Sequence, residues 1–213
     1  MSTKSTLRRP AKTTAAQPAA GAPAAKAGAG EIRIIGGQWN RTRLKVATQP
    51  GLRPTPDRVR ETLFNWLGQD LSGWRCLDAF AGTGALGFEA ASRGAASVQL
   101  VESDAALVAQ LHTLQQRLQA TTMRVQRGDG VAALKQAAPA SLDLVLLDPP
   151  FDSDFFTPAL QAAAQAVAAD GFIYLEAPRA WADEELAAWG LAVHRHLKAG
   201  AVHAHLLRRA ASL

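Results

Sequence analysis

Cysteine is almost missing from this chain: Cys76 is the only one in 213 residues. No intrachain disulfide can form and no Cys-x-x-Cys metal knuckle exists, which suits a reducing compartment, the cytoplasm. Its setting in Arg75-Cys-Leu-Asp-Ala79 reads as that of a buried small hydrophobe. Apolar runs of membrane-spanning length are missing too, so the expectation is a soluble protein with no membrane partner. Residues 1–30 lack acids and, apart from Met1 and Leu7, hold no large apolar side chain. Without an apolar core this segment is no secretory signal. It shares the acid-free look of a transit peptide but shows no amphipathic pattern, and a disordered, solvated basic tail is expected.

Acids are also scarce further on. The tail carries Lys4, Arg8, Arg9, Lys12 and Lys26 against none, and from Arg33 to Arg60 seven basic residues meet one acid, Asp57. From Glu61 onward the balance reverses, with 11 basic and 16 acidic residues. Positive charge collected ahead of the predicted core points to a polyanion partner. With 48% hydrophobic residues, the remainder suffices for one α/β domain and a small appendage. The expected division is a tail (1–30), an RNA-facing hairpin and helix (31–70) and a main domain (71–213).

The organising stretch is Leu144-Val-Leu-Leu-Asp148-Pro-Pro-Phe151. Four apolar residues in a row read as a strand of a parallel sheet, buried on both faces. Asp148 would then stand at its carboxyl end, where open α/β sheets hold their ligands. Pro149 and Pro150 offer carbonyl oxygens on a stiff backbone with no N–H donor. Phe151 adds a flat apolar face. Such a set suits a planar group with an exocyclic amine; the plainer alternative is an acid-capped strand end with a proline turn.

Strands and helices alternate around that stretch. Strands are expected at Arg75–Ala79, Ser97–Glu102, Met123–Gln126 and Phe172–Glu176, with helices at about 85–93, 104–119, 131–137 and 156–168. This pattern means a doubly wound, mostly parallel sheet. Ahead of it, Ile32–Ile35 and Thr42–Val46 read as a short hairpin with Arg41, Arg43 and Lys45 on one face. A helix follows, with Thr55 as N-cap, Pro56 in the first helical position and Val59, Leu63, Trp66 and Leu67 as its apolar stripe. At the far end, residues 191–197 and 202–207 read as an antiparallel hairpin with His194, His196, His203 and His205 on one face. A two-residue turn at Ala199-Gly200 would set His194 opposite His205 and His196 opposite His203. A zinc site is conceivable there, but no acid or cysteine completes a familiar ligand set, and no metal is expected.

Gly82-Thr-Gly84-Ala-Leu-Gly87 fits G-x-G-x-x-G, with Glu102 twenty residues on, and so satisfies the dinucleotide fingerprint. Glu102 could accept from ribose hydroxyls, and NAD and S-adenosylmethionine both have such a ribose. Asp78 separates the two. A carboxylate beside a pyrophosphate costs on the order of several kcal/mol, whereas the ammonium and sulfonium of S-adenosylmethionine favour it. Asp129, at the end of the third strand, could accept from the adenine amine.

Asp78-x-Phe-x-Gly-x-Gly, Glu102 and Asp148-Pro-Pro-Phe151 together resemble the Rossmann-like class I methyltransferases that modify base amines. Ile32-Arg-Ile-Ile-Gly-Gly-Gln-Trp39 and Arg53-Pro-Thr-Pro-Asp-Arg-Val-Arg-Glu-Thr-Leu-Phe-Asn-Trp66 extend the match. From about Ile32 to Arg208 the chain is similar to the RsmD-type enzymes, which methylate N2 of one guanine in bacterial 16S ribosomal RNA. The resemblance implies a monomer acting on the assembled or assembling small ribosomal subunit. It implies a catalytic set of Asp148, Pro149, Pro150 and Phe151. The methyl donor, S-adenosylmethionine, would be held by Asp78, Phe80, Gly82, Thr83, Gly84, Glu102, Ser103, Asp129 and Gly130. RNA would meet Arg33, Arg41, Arg43, Lys45, Arg53, Arg58 and Arg60. On chemistry alone adenine N6 fits the site as well as guanine N2. An NAD-dependent oxidoreductase and a non-catalytic RNA-binding protein are the alternatives from other classes.

Overall fold

The computed structural model describes Met1, residues 30–46 and residues 55–210. The expected basic tail falls almost wholly outside the described residues, and so does Arg53.

Strand–helix alternation begins at β3 (Arg75–Asp78) and α2 (Ala85–Ser92), and continues through β4 (Ser97–Glu102), α3 (Ala105–Arg117), β5 (Met123–Arg127) and α4 (Gly130–Gln136). Then come β6 (Leu142–Leu147), α5 (Phe156–Ala166), β7 (Val167–Ala177), α6 (Asp183–Leu186), a 3-10 turn (Ala187–Trp189), β8 (Leu191–Ala199) and β9 (Val202–Arg209). The strands form one sheet in the order β5-β4-β3-β6-β7-β9-β8, parallel from β5 to β7 and closed by the antiparallel β9 and β8. This is the doubly wound, Rossmann-like α/β architecture the alternation predicts. Chain order reverses between β3 and β6, so a crevice opens where Asp78 and Asp148 emerge.

Local chemistry explains most boundaries. Asp104 caps α3 by accepting from the N–H groups of Ala106 and Leu107, and Asp129 caps α4 through Ala132 N–H. Both supply acceptors to donors that a helix start leaves open. Leu144 to Leu147 are fully buried, as a central parallel strand requires. One face of the sheet packs Leu144, Leu146 and Tyr174 against Phe88 of α2 and Leu111 and Leu114 of α3. The other packs Val145, Leu147 and Ile173 against Val131 and Leu134 of α4 and Leu160 of α5. Cys76 lies in the first layer, and burial pushes its thiol up to about 12, leaving it an inert core residue.

The N-terminal segment forms an antiparallel ribbon, β1 (Gly30–Arg33) with β2 (Arg43–Val46), followed by α1 (Asp57–Trp66). Ile32, Ile34, Leu44 and Val46 point inward and share the core of Leu63, Phe64 and Phe88. Thr55 does not cap α1 as expected. Pro56 is the N-cap residue, without a side-chain cap bond, and the buried Thr55 side chain bonds Glu176 instead. Among the described residues no helix is long and apolar enough to cross a membrane.

Candidate active site and nucleic-acid face

Three carboxylates emerge from neighbouring strands at the crevice: Asp78 ends β3, Asp148 follows β6, and Glu176 lies near the end of β7. Register places Asp78 opposite Leu146, and Leu146 opposite Tyr174. The two-residue period of a strand then sets Asp78, Asp148 and Glu176 on one face. Asp78 is 1% exposed. Burial is the main cause that pushes its carboxyl up to about 7; the N–H groups of Phe80 and Gly87 oppose the shift, and Glu102 and Glu176 add to it. Asp148 is raised well above the usual carboxylate range, first by burial and then by Glu176 and Asp78. Oδ1 of Asp78 is buried without a hydrogen-bond partner. Such an atom costs about 1–3 kcal/mol when left unpaired, so the crevice fits a ligand that brings a donor, best a cationic one.

The glycine turn forms the wall beside Asp78. Gly84, at φ 81°, opens α2 in the left-handed region, where a side chain is disfavoured. Glu102 braces this turn: it accepts from Gly82 N–H at 2.8 Å and from Asp104 N–H at 2.8 Å, with Ser103 Oγ at 3.3 Å. A carboxylate oxygen has more than one lone-pair site, so these bonds leave it capacity for ribose hydroxyls. Across the crevice a Cβ on Gly130 would sit 1.9 Å from the Ala79 carbonyl oxygen, so only glycine fits. Thr83 is buried, while Ser103 and Asp129 are exposed. The structure thus gathers all nine residues expected at the cofactor around the ends of β3, β4 and β5.

The Asp-Pro-Pro-Phe turn forms the mouth. Pro149 is buried, Pro150 exposed and Phe151 half-buried. The Pro150 carbonyl accepts from Ser153 N–H and Oγ, which stiffens the turn. Phe80 and Phe155 pack with their rings tilted at 44° and their centroids 5.7 Å apart. Phe155, 39% exposed, is an aromatic at the mouth that sequence reasoning passed over. Its one signal was the Phe-Phe pair at the end of a polar loop.

The basic residues divide. Arg33, Arg41, Arg43, Lys45 and Arg58 are exposed. Arg33 pairs with Asp57 at 3.1 Å and Arg43 with Glu31 at 3.0 Å. Among the described residues no acid pairs with Arg41, Lys45 or Arg58. Arg60 is a correction to the expected RNA face: it is 1% exposed. It donates to the carbonyls of Thr55 and Arg33 and to Glu89, and pairs with Asp57. Glu89 is its reason for being buried. That carboxylate, 0% exposed, accepts from Arg60, from Arg93, and from the N–H groups of Ile35 at 2.9 Å and Gly36 at 2.8 Å. Sequence reasoning missed Glu89, although an acid in the otherwise small and apolar helix Ala85–Ser92 was its signal.

The histidine hairpin also departs from expectation. The turn is Gly200-Ala201, so His196 faces His205 and Lys198 faces His203, and a bulge further along leaves His194 without a register partner. His194 packs on Phe172 instead. His205 is fully buried: its Nε2 accepts from Trp181 N–H at 3.1 Å and its Nδ1 meets the Leu175 carbonyl. Burial, followed by His196, lowers it to about 4. It is a neutral core residue with both ring nitrogens engaged.

Comparison with known proteins agrees with this geometry. A family model described as Conserved hypothetical protein 95 matches residues 32–208. Ribosomal RNA small subunit methyltransferase D of Escherichia coli K12 is 50% identical over 124 residues, which cover 58% of this chain and 62% of that protein. The protein of the same name from Buchnera aphidicola (subspecies Baizongia pistaciae) is 35% identical over 148 residues, 68% of this chain and 75% of the relative. Among solved structures, Escherichia coli yhhF superposes with a TM-score of 0.72 at 36% identity, covering 86% of this chain and all of that one. With the crevice, the glycine turn and the Asp-Pro-Pro-Phe mouth in one place, the chain belongs to the Conserved hypothetical protein 95 family, which the small-subunit ribosomal RNA methyltransferase D proteins share.

Proposed function

We propose that this protein transfers a methyl group from S-adenosylmethionine to the exocyclic N2 amine of a guanine in 16S ribosomal RNA of the small subunit. The observation that carries this reading is the Asp148-Pro149 acceptor pair beside the buried, unpartnered Asp78 oxygen. The cofactor, when bound, supplies an electrophilic methyl on a sulfonium. Asp78 would hold its ammonium, the Gly82–Gly84 backbone would allow its close approach, Glu102 would take its ribose, and Asp129 and Gly130 would border its adenine.

Asp148 and the Pro149 carbonyl accept hydrogen bonds from the target amine. They favour the tetrahedral, cationic nitrogen that develops during transfer, which lowers the barrier rather than the substrate's energy. Phe151 stacks on a base taken out of its neighbours' stack. The methylated ammonium then sheds its surplus proton to water or to Asp148 with no strong base needed. Guanine rather than adenine rests on the resemblance to the RsmD-type enzymes. The test is to incubate protein and cofactor with small subunits from a strain lacking it, then map the modified nucleoside. N2-methylguanine at one position is expected; N6-methyladenine or no transfer would overturn the reading.

Two outcomes follow for its ligands. Asp78 must be ionised to hold an ammonium, and burial pushes its carboxyl up to about 7. Affinity for S-adenosylhomocysteine should therefore fall about tenfold from pH 8 to pH 6, and Asp78→Asn should remove most of that dependence. Calorimetry at several pH values measures it, and an affinity flat with pH would take Asp78 out of contact with the ammonium. On the RNA side, Arg41→Gln with Lys45→Gln should weaken subunit binding and flatten its log–log salt dependence by about one unit per lost phosphate contact. Cofactor affinity should stay unchanged. Slopes equal to wild type would make the ribbon a solvated strand face.

A further inference from the structure

The reaction as described uses Asp78 and Asp148 but leaves the third carboxylate idle. Glu176 is 3% exposed and lies one residue beyond the Leu147–Leu175 register pair. Asp148 and Glu176 thus leave the sheet side by side, their Cα atoms about 5 Å apart. Two hydroxyls converge on Glu176. Tyr174, fully buried, donates to Oε1 at 2.9 Å, and the Thr55 side chain bonds the same carboxylate. Thr55 leads into α1, so Glu176 ties the start of that helix to the strand beside Asp148.

Cations do not account for its burial. The elements packed on this face bring Arg60 from α1 and Glu89 and Arg93 from α2, and these pair with one another. From β9 the register partner of Glu176 is Ala204. What faces Glu176 is Asp148 and Tyr174, with Asp78 and then Glu102 beyond. Among the described residues no lysine or arginine pairs with it. A structural carboxylate would gain a partner or be replaced by an apolar residue, because an unpaired buried charge is costly.

We infer that Glu176 is a positioning residue of the transfer centre: it fixes the Thr55 segment against the site and, as a like charge beside Asp148, governs that side chain's protonation. Burial followed by the Glu176 charge is what raises Asp148, in line with the geometry. The inference rests on the methyltransferase reading above.

The test uses the full chain and two readouts. In cofactor-free protein, carbon-13 NMR follows the Asp148 carboxyl through a pH titration. At saturating cofactor, kcat on small subunits is measured against pH. In Glu176→Gln the Asp148 midpoint should fall by on the order of one pH unit, and the acid limb of kcat should move the same way. Asp78 also feels Glu176, but its response is read separately, in cofactor affinity. Glu176→Ala, which also frees Thr55, should lower kcat about tenfold with cofactor affinity within about threefold. Glu176→Asp should restore part of kcat. An Asp148 midpoint and an acid limb both unmoved in a folded Glu176→Gln protein overturn the inference by themselves. Wild-type protein that transfers no methyl group fails the reading beneath it, and the inference falls with it.

Discussion

Asp148→Ala should bind S-adenosylhomocysteine as wild type does and methylate small-subunit RNA at least about a hundredfold more slowly. The magnitude is that of removing one well-placed transition-state partner, about a hundredfold to a thousandfold. In the proposed chemistry the carboxylate accepts from the target amine, and its partner carbonyl at Pro149 remains, so the loss falls on kcat. Folding should not suffer. Asp148 stands at the mouth of the crevice and is raised well above its usual range by burial and by Glu176 and Asp78. A group raised in the folded state favours folding only below its unfolded pKa and loses that contribution as pH rises through the folded value. At neutral pH its removal therefore costs little, and the thermal midpoint should stay level or rise slightly. Asp148→Asn, keeping one acceptor oxygen, should lose less turnover than alanine. Single-turnover transfer and calorimetry on the same samples check both halves, and a parallel loss of cofactor affinity would make Asp148 part of the cofactor site.

The second large effect is on stability. Glu89→Ala should lower the unfolding free energy by about 3–5 kcal/mol, the usual cost of breaking a buried ion pair. Two guanidinium groups lose their common carboxylate, since Arg60 and Arg93 are 1% and 4% exposed and both donate to Glu89. The N–H groups of Ile35 and Gly36 lose their acceptor as well. Arg93 keeps Gln69 at 2.9 Å and its seat 4.6 Å over the Phe64 ring, which limits the damage. Arg60 keeps Asp57 and two carbonyls. In a domain of this size the loss corresponds to a drop of roughly 10 °C in Tm. Urea unfolding of wild type, Glu89→Ala and Glu89→Gln measures it, with glutamine intermediate because it retains an acceptor. A loss under about 1 kcal/mol in the alanine variant would mean the arginines reach water.

The sheet and the crevice at the carboxyl ends of its strands were legible because the local rules all agree there. Apolar strands such as Leu144–Leu147 end in an acid, a glycine turn opens the first crossover, and Asp104 and Asp129 stand where helices need caps. Arg60 was not legible. On the sequence of α1 it looks like Arg58, and its burial depends on Glu89, twenty-nine residues away. The histidine register failed because the turn is Gly200-Ala201 rather than Ala199-Gly200, and moving a two-residue turn by one position shifts every pairing while the side-chain pattern of period two stays the same. Glu176 could have been noticed, since it stands near a strand end as Asp78 and Asp148 do. Thr55 looked like an N-cap on local grounds alone, and tertiary contact with Glu176 overrode that preference.

The helix α2 (Ala85–Ser92) touches both halves of the proposed chemistry. Its first turn springs from Gly84 of the cofactor turn. Its last turn grips the ribbon: Glu89 takes the Ile35 and Gly36 amides, and Ser92 bonds Gly36, Gln38 and Trp39. Eight residues at 1.5 Å each make a strut about 12 Å long. A two-stranded ribbon is marginal by itself, so this grip settles its ordering entropy during folding and leaves none to be lost when a polyanion docks. On the proposed function the same strut fixes the interval between the arginines and the methyl donor. It would then act as a ruler, with a nucleotide reachable only if it lies that far from phosphates docked on the ribbon.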